Sequence, residues 1–287
     1  MTANPGRLTF PLPEAMVRRA LEFRGEPETP RPSATVVLLR PEGDTFQVYV
    51  LKRAATMVFG GLYAFPGGGV DPTDRPETLR TDWSRRLGVP DEQARAIVGA
   101  ACRELFEEAG VLLAGPVGEP DRTVSDGSMS GVVSHGSEDD DERIVGDVSA
   151  DDWEADRAAI AAHELTLTEV LQRRGLRLRD DLLFPWARWI TPEFEPRRFD
   201  TWFFVALLPE GQTARDVSGE SEVATWAHPQ AAEELAMLPP TRSTVNSLRP
   251  YEKIAEVIAA SSRRDAARPV MPRVEFLEDG SALLHVE

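Results

Sequence analysis

Cys102 to Gly110 reads CRELFEEAG, which sets Arg103, Glu104, Glu107 and Glu108 within six residues. A helix turns about 100° per residue, so the three carboxylates fall in an arc of roughly 100°. Like charges at i, i+3 and i, i+4 repel, and each pair weakens a helix by roughly 0.2–0.5 kcal/mol. Arg103, four residues before Glu107, offsets part of that repulsion. A divalent cation among the carboxylates would make the crowding favourable. Mg²⁺ takes hard oxygen ligands, often one or two carboxylates with substrate phosphates at the remaining positions. Taken alone, ExxEE is also the pattern of an acidic, solvated helix face, and both readings stand at this point.

The elements that must hold these side chains are legible around them. DEQARAIVGAACRELFEEAG begins after Pro90 with acidic residues in its first turn and ends at Gly110, a residue suited to a left-handed cap. Ala94, Ile97, Val98, Ala101 and Leu105 form one stripe along it that faces a core. SATVVLLR and FQVYVLKR read as antiparallel strands joined by a turn at PEGD, with Phe46, Val48 and Val50 on one face. GGLYAFPGGGVDP reads as a short strand running into a glycine-rich loop. The polar DPTDRPETLRTDWSRRLGVP reads as an insertion, and residues 116–147, rich in Gly, Ser and Asp, as a mobile surface loop.

Helical patterns return in DDWEADRAAIAAHEL and TLTEVLQRRG. Strands follow in FPWARWITP, RRFDTWFFVALLP and EVATWAHP. PQAAEELAML reads as a helix, PPTRSTVNSLRPYEKIAEVIAASSRR as helical after its prolines, and RVEFLEDGSALLHVE as a closing hairpin. Residues 1–32, spaced by prolines, are expected to wrap the surface. No internal repeat is visible.

Composition narrows the function classes. The chain has 287 residues, 41% of them hydrophobic, and a formal net charge of −16. Its only lysines are Lys52 and Lys253; the other basic residues are arginines. So acidic a chain argues against general affinity for nucleic acid or an anionic membrane, both of which need clustered positive charge. A polyanionic substrate needs local arginines or metal ions. The single cysteine, Cys102, allows no internal disulfide and is expected to be buried and inert. With no apolar core of a signal peptide, no membrane-length run and no targeting tail in LLHVE, the expected location is the cytoplasm.

RELFEEAGV, with FPGGG upstream, resembles the Nudix hydrolase family, whose box is G-x5-E-x7-R-E-U-x-E-E-x-G-U with U a bulky aliphatic residue. Arg103, Glu104, Leu105, Glu107, Glu108, Gly110 and Val111 match its second half. The first half departs: 34 residues separate Gly68 from Arg103 where the compact box has 13, an insertion of about 21. Arg95 stands in register with the first box glutamate, and Glu92 or Asp91 are the nearest substitutes. An insertion there resembles a subgroup that includes the mammalian peroxisomal coenzyme A diphosphatase. FPGGGVDPTD, WITPEFEPRRFDTWFF, EVATW and LPPT extend that likeness across most of residues 33–250.

The resemblance implies an α/β (α+β) fold, an α/β/α sandwich around a mixed sheet. The hydrolase domain would span 33–250, with insertions at about 71–90 and 116–175, and a helix-and-hairpin extension at 251–287. It implies Mg²⁺- or Mn²⁺-dependent hydrolysis of a nucleoside diphosphate linked to another moiety. The subgroup points to coenzyme A or acyl-coenzyme A. The alternatives are an ADP-ribose or NADH diphosphatase and a non-catalytic, ligand-binding regulator. Family members are often homodimers. By position, Glu104, Glu107, Glu108 and the Gly67 carbonyl would hold metal, Glu104 being alternatively the general base. Arg103 would orient a box glutamate, and Glu222 would be a catalytic carboxylate from a facing loop. Arg53, Gly68, Arg198 and Glu220 would face substrate, with Glu220 the second choice for the loop carboxylate and Arg197 sharing the claim of Arg198. Trp186, Trp189 and Trp202 read as core residues. His163 opens HEL without a second histidine four residues on, so a zinc-protease helix is rejected. No Ser-His-Asp arrangement and no P-loop is present.

Overall fold

The apolar run TVVLL gains most by losing water from both faces at once, and it becomes the middle of the sheet. The computed structural model describes residues 8–56, 60–77, 79, 82–117, 143–217, 219 and 221–286. Its elements begin with β1 (Leu8–Pro11), α1 (Glu14–Glu22), β2 (Arg31–Glu42), β3 (Thr45–Arg53), β4 (Tyr63–Ala64), β5 (Gly67–Gly69), α2 (Trp83–Leu87) and α3 (Asp91–Ala109). There follow β6 (Ala114–Pro116), α4 (Asp151–Ala161), α5 (Leu167–Arg173), β7 (Leu176–Leu178), β8 (Leu183–Ile190), β9 (Phe199–Leu207) and β10 (Ser221–Ala227). The last are α6 (Pro239–Leu248), α7 (Ile254–Ser261), β11 (Pro269–Val270), β12 (Arg273–Phe276) and β13 (Ala282–Val286).

The main sheet runs β10–β3–β2–β9–β8–β11, with β4 beside β3 and β5 beside β2. It is mixed: β2 pairs parallel with β9 and antiparallel with β3. On one face Ala34, Val36, Leu38, Tyr49 and Leu51 pack with Ala94, Ile97, Val98, Ala101 and Leu105 of α3. On the other, Val37, Leu39, Val48, Val50 and Val205 lie under Val245 and Leu248 of α6 and Val257 and Ala260 of α7. The architecture is therefore the expected α/β/α sandwich. Each fully buried Leu, Ile or Val side chain contributes about 1.5–3 kcal/mol to it.

Several elements differ from the sequence reading. The glycine run is not a loop: Gly67, Gly68 and Gly69 are strand β5, opposite Thr35, Ala34 and Ser33 of β2. PQAAEELAML forms only a 3₁₀ turn at Ala231–Glu234. Its continuation runs extended, and the Ala236 carbonyl accepts from the Tyr63 N–H at 2.8 Å. The polar insertion is anchored in the core by Trp83 and Leu87 of α2. The Trp83 indole donates to Asp180 at 2.8 Å and meets Phe204 edge-on. The two ends of the described chain pair: β1 lies antiparallel to β13, over a small cluster of Leu12, Val17, Ala282 and Leu284. Residues 118–142, most of the expected acidic loop, lie outside the described residues. Among the described residues no helix is long and apolar enough to cross a membrane.

Candidate active site

The C-terminal half of α3 is buried more completely than its stripe alone implies. Arg103 and Glu104 are 6% and 8% exposed, although both are charged. Strand β5 and Asp74 cover these two side chains, Arg103 bonding Asp74 and the Gly69 carbonyl and Glu104 lying against Gly68, while α4 packs farther along the helix. Trp153 meets Phe106 edge-on, and Arg157 donates to the Glu107 carbonyl at 3.2 Å. Gly110, at φ 62°, ends α3 in the left-handed region.

Arg103 organises the carboxylates. Its Nε and Nη2 fork onto Asp74 Oδ1 and Oδ2 at 2.8 and 3.0 Å. Nη1 donates to Glu104 Oε1 at 2.9 Å and Glu107 Oε2 at 3.1 Å, and Nη2 also reaches the Gly69 carbonyl at 2.8 Å. Burial opposes this charge, but Asp74, Glu104 and Glu107 hold the guanidinium firmly protonated. Glu108 Oε2 accepts from the Gly67 N–H at 2.9 Å. A Cβ on Gly68 would stand 2.4 Å from Glu104 Oε1, and one on Gly67 would stand 2.5 Å from the Ala34 carbonyl. Glycine is thus required at 67, where the clash is with the β2 backbone, while a side chain at 68 would displace the Glu104 carboxylate.

Burial pushes the Glu104 carboxyl up to about 7; Glu107 and Asp74 push the same way while Arg103 pulls it back. Burial raises Glu107 as well, again against the pull of Arg103. The folded chain therefore holds a proton on Glu104 that the unfolded chain releases. This contribution to stability is fully present below about pH 4.5 and is lost as pH rises to about 7. In chelator, the denaturant midpoint of the wild type is expected to fall across that window more steeply than that of Glu104→Gln. Parallel profiles for the two proteins would contradict this account.

Of the residues proposed from sequence, Gly67, Gly68, Arg103, Glu104, Glu107 and Glu108 come together here. Glu222 and Arg198 lie elsewhere. Glu222 pairs with Lys52 at 2.8 Å and accepts from the Ala55 N–H at 3.1 Å. Its partners lie along the β3–β10 edge and not on α3. Arg53 ends β3, where its backbone exchanges hydrogen bonds with Leu62 and Gly61. Arg198 is a correction: it is buried, and it donates to the carbonyls of Thr191 and Glu28 at 3.0 and 2.7 Å. It clasps the chain before β2 to the β8–β9 connection. Glu220 lies outside the described residues.

Neither substitute for the first box glutamate turns to the cluster. Glu92 pairs with Arg75 and Asp91 with Arg95. Arg95 itself holds the carbonyls of Pro76 and Glu77 at 3.0 Å. The residue missed from sequence is Asp74, 5% exposed and bidentate to Arg103. Its only local signal was the DPTD turn, in which the Asp71 N–H donates to Asp74.

No protein-family profile and no curated protein matches the chain. Solved structures do. The crystal structure of a Nudix hydrolase from Alicyclobacillus acidocaldarius superposes with a TM-score of 0.57 at 24% identity, covering 80% of this chain and 96% of that one. The chain has the Nudix fold. RenU, a Nudix hydrolase from M. smegmatis, aligns at 15% identity over 80% of this chain and 86% of its own, with a TM-score of 0.37. The Nudix domain of Shewanella oneidensis NrtR, in complex with ADP ribose, aligns at 12% identity over 83% and 98%, with a TM-score of 0.40.

The acidic end of α3 in this Nudix fold suits a hard cation. Among the described residues no three acidic, imidazole or thiolate groups already converge as a ligand cage. Arg103 stands between Glu104 and Glu107. Yet Glu107 Oε1 is buried with no hydrogen-bond partner, an orphaned acceptor, and burial opposes the ionisation of both its own carboxyl and that of Glu104. An oxygen-seeking cation would satisfy that atom and favour the ionised forms.

One further polar atom near the cluster is unsatisfied. The Tyr49 hydroxyl is buried with no hydrogen-bond partner. Burial first, then the charges of Asp216 and Glu108, raise its pKa. Its ring meets Trp226 at 5.1 Å, which accounts for an aromatic residue there but not for the hydroxyl. Tyr49→Phe is expected to leave stability unchanged or raise it by about 1 kcal/mol, read from denaturant melts. A loss above about 1 kcal/mol would mean the hydroxyl has a partner in solution.

Proposed function

We propose that the chain hydrolyses the diphosphate bond of a nucleoside diphosphate linked to a second moiety, with Mg²⁺ or Mn²⁺ as cofactor. The observation that carries this reading is the group of Glu104 and Glu107, held by Arg103, with Glu108, held by the Gly67 N–H of the glycine strand β5. Glu107 through its open Oε1, Glu108, and the Gly67 carbonyl are the atoms assigned to the metal. When bound, the cation neutralises the diphosphate and acidifies a water.

The chain's own residues set the geometry. Arg103 engages Glu104 through Oε1, which leaves Oε2 to ligate or to take the proton of the attacking water. Arg103 touches carboxylates and a carbonyl, so it is a positioning residue. Exclusion of water by α4 and β5 strengthens each of these interactions. Preorganisation of this kind is the main demand of phosphoryl transfer.

Coenzyme A or acyl-coenzyme A is the substrate favoured by the insertion between Gly68 and Arg103. The test is turnover of coenzyme A, ADP-ribose and NADH with Mg²⁺ or Mn²⁺, products being separated by chromatography. Preference for coenzyme A supports the subgroup, and preference for ADP-ribose or NADH replaces it. Absence of hydrolysis of all three with either metal overturns the enzymatic reading in favour of a ligand-binding regulator.

A further inference from the structure

The end of α3 is electrostatically unfavourable as a helix end. Glu104, Glu107 and Glu108 stand where a helix is already negative, and its last turn contains no basic residue. The last carbonyls of a helix also lack partners within it. The Gly110 N–H serves the Phe106 carbonyl at 3.0 Å, and those of Glu107 and Ala109 are met from outside. Arg157 of α4 donates to the Glu107 carbonyl through Nη1 at 3.2 Å. The Arg215 N–H, in the connection between β9 and β10, donates to the Ala109 carbonyl at 2.9 Å. The Arg215 guanidinium lies over the same helix end: a Cβ on Gly110 would stand 3.0 Å from its Nη2.

One carboxylate joins the two arginines. Glu154 accepts from Arg157 Nε at 3.0 Å through Oε2 and from Arg215 Nη2 at 2.7 Å through Oε1. The network therefore bridges α4, the end of α3 and the β9–β10 connection. Its bonds to the α3 backbone fall at residues 107 and 109, on either side of Glu108. Residue 107 carries the open carboxylate oxygen, and residue 108 binds the Gly67 N–H. A separate set of bonds ties α4 to the end of α5, where Asp156 accepts from Arg173 and from Arg174 Nε. The hold on α4 can thus be loosened without touching Arg157 or Arg215.

We propose that Arg157 and Arg215, joined by Glu154, are positioning residues for the metal carboxylates: they fix the last turn of α3 so that Glu107 and Glu108 are held toward one cation beside β5. This rests on the metal-dependent diphosphatase reading above. The competing role is a clamp that keeps α4 on the domain and does nothing for the site.

Arg157→Met keeps the alkyl stem and removes the donors. Its affinity for Mn²⁺, followed by electron paramagnetic resonance, is expected to fall ~10-fold, the lower end of what removing a group behind a metal ligand costs. Loss of a nearby positive charge would by itself tighten Mn²⁺ binding, so weaker binding reports position and not charge. With Mn²⁺ saturating, KM for the best substrate is expected to change by less than about 2-fold, because neither arginine is assigned to substrate. Arg157→Lys is expected to recover part of the Mn²⁺ affinity. Arg215→Met shifts it in the same direction as Arg157→Met, and carries the test if Arg157→Met does not fold. Asp156→Ala is expected to lower Tm and leave Mn²⁺ affinity at the wild-type value. Unchanged or tighter Mn²⁺ binding in the methionine variants, or equal weakening in Asp156→Ala, would overturn the positioning role and leave the diphosphatase reading intact. A wild type that binds no Mn²⁺ overturns both.

Discussion

Glu108→Gln is expected to lower kcat at least ~100-fold, with the fold intact, because a lost metal position removes several kcal/mol of charge stabilisation from the transition state. Glutamine keeps the size of the side chain, and its carbonyl oxygen can still accept from the Gly67 N–H that Glu108 Oε2 binds at 2.9 Å. What disappears is the negative charge. The measurement is steady-state turnover with Mg²⁺ or Mn²⁺, accompanied by a thermal melt and by Mn²⁺ binding followed by electron paramagnetic resonance. A melt within a few degrees of wild type, weaker Mn²⁺ binding and collapsed turnover together fit the assignment. Turnover equal to wild type would sink the metal role of Glu108, and with it the catalytic reading of α3.

Arg103→Ala is expected to cost about 3–5 kcal/mol of stability, the range found when one member of a buried ion pair is removed. The magnitude follows from the partners left behind. Asp74 loses both forked hydrogen bonds, and Glu104 and Glu107 lose the positive charge between them. The Asp74 and Arg103 side chains are 3% and 7% exposed, so water cannot replace what is lost. A domain stable by about 5–15 kcal/mol would lose a large share of that margin. Arg103→Lys retains the charge but not the fork, and it is expected to fall between alanine and wild type. Urea midpoints at fixed pH read the effect. A loss below about 1 kcal/mol for the alanine variant would place this network with solvent-exposed pairs, contrary to its geometry.

Both outcomes depend on features of unequal visibility in the sequence. The three glutamates, their arginine and the glycine cap lie within one stretch, and helical periodicity alone relates them. The stripe from Ala94 to Leu105 is buried as the period requires. Long-range pairing was less visible. Residues 67–69 offer no side chains to alternate, so their strand character rests wholly on the edge of β2 beside them. PQAAEELAML has a helical composition, but the Tyr63 backbone claims its continuation as an extended neighbour. Trp83 sits in a polar stretch, and its burial depends on Asp180 and Phe204, about 100 residues further along the chain. Arg198 resembled a phosphate ligand only because the carbonyls that occupy it, on Glu28 and Thr191, are remote or unremarkable in sequence.

The sequence by itself determined the chemistry that the α3 end can perform: hard oxygen donors at helical spacing, an arginine among them, and a glycine-rich neighbour with room for close approach. These are local properties, set by residue type and the turn of a helix. Tertiary structure decided which donors are organised and how firmly. It brought Asp74 under Arg103 and laid α4 against Phe106 and Glu107 of α3. It also gave Glu222 to Lys52. Each of these rests on burial and on partners distant along the chain, and the strength of a charge depends on both.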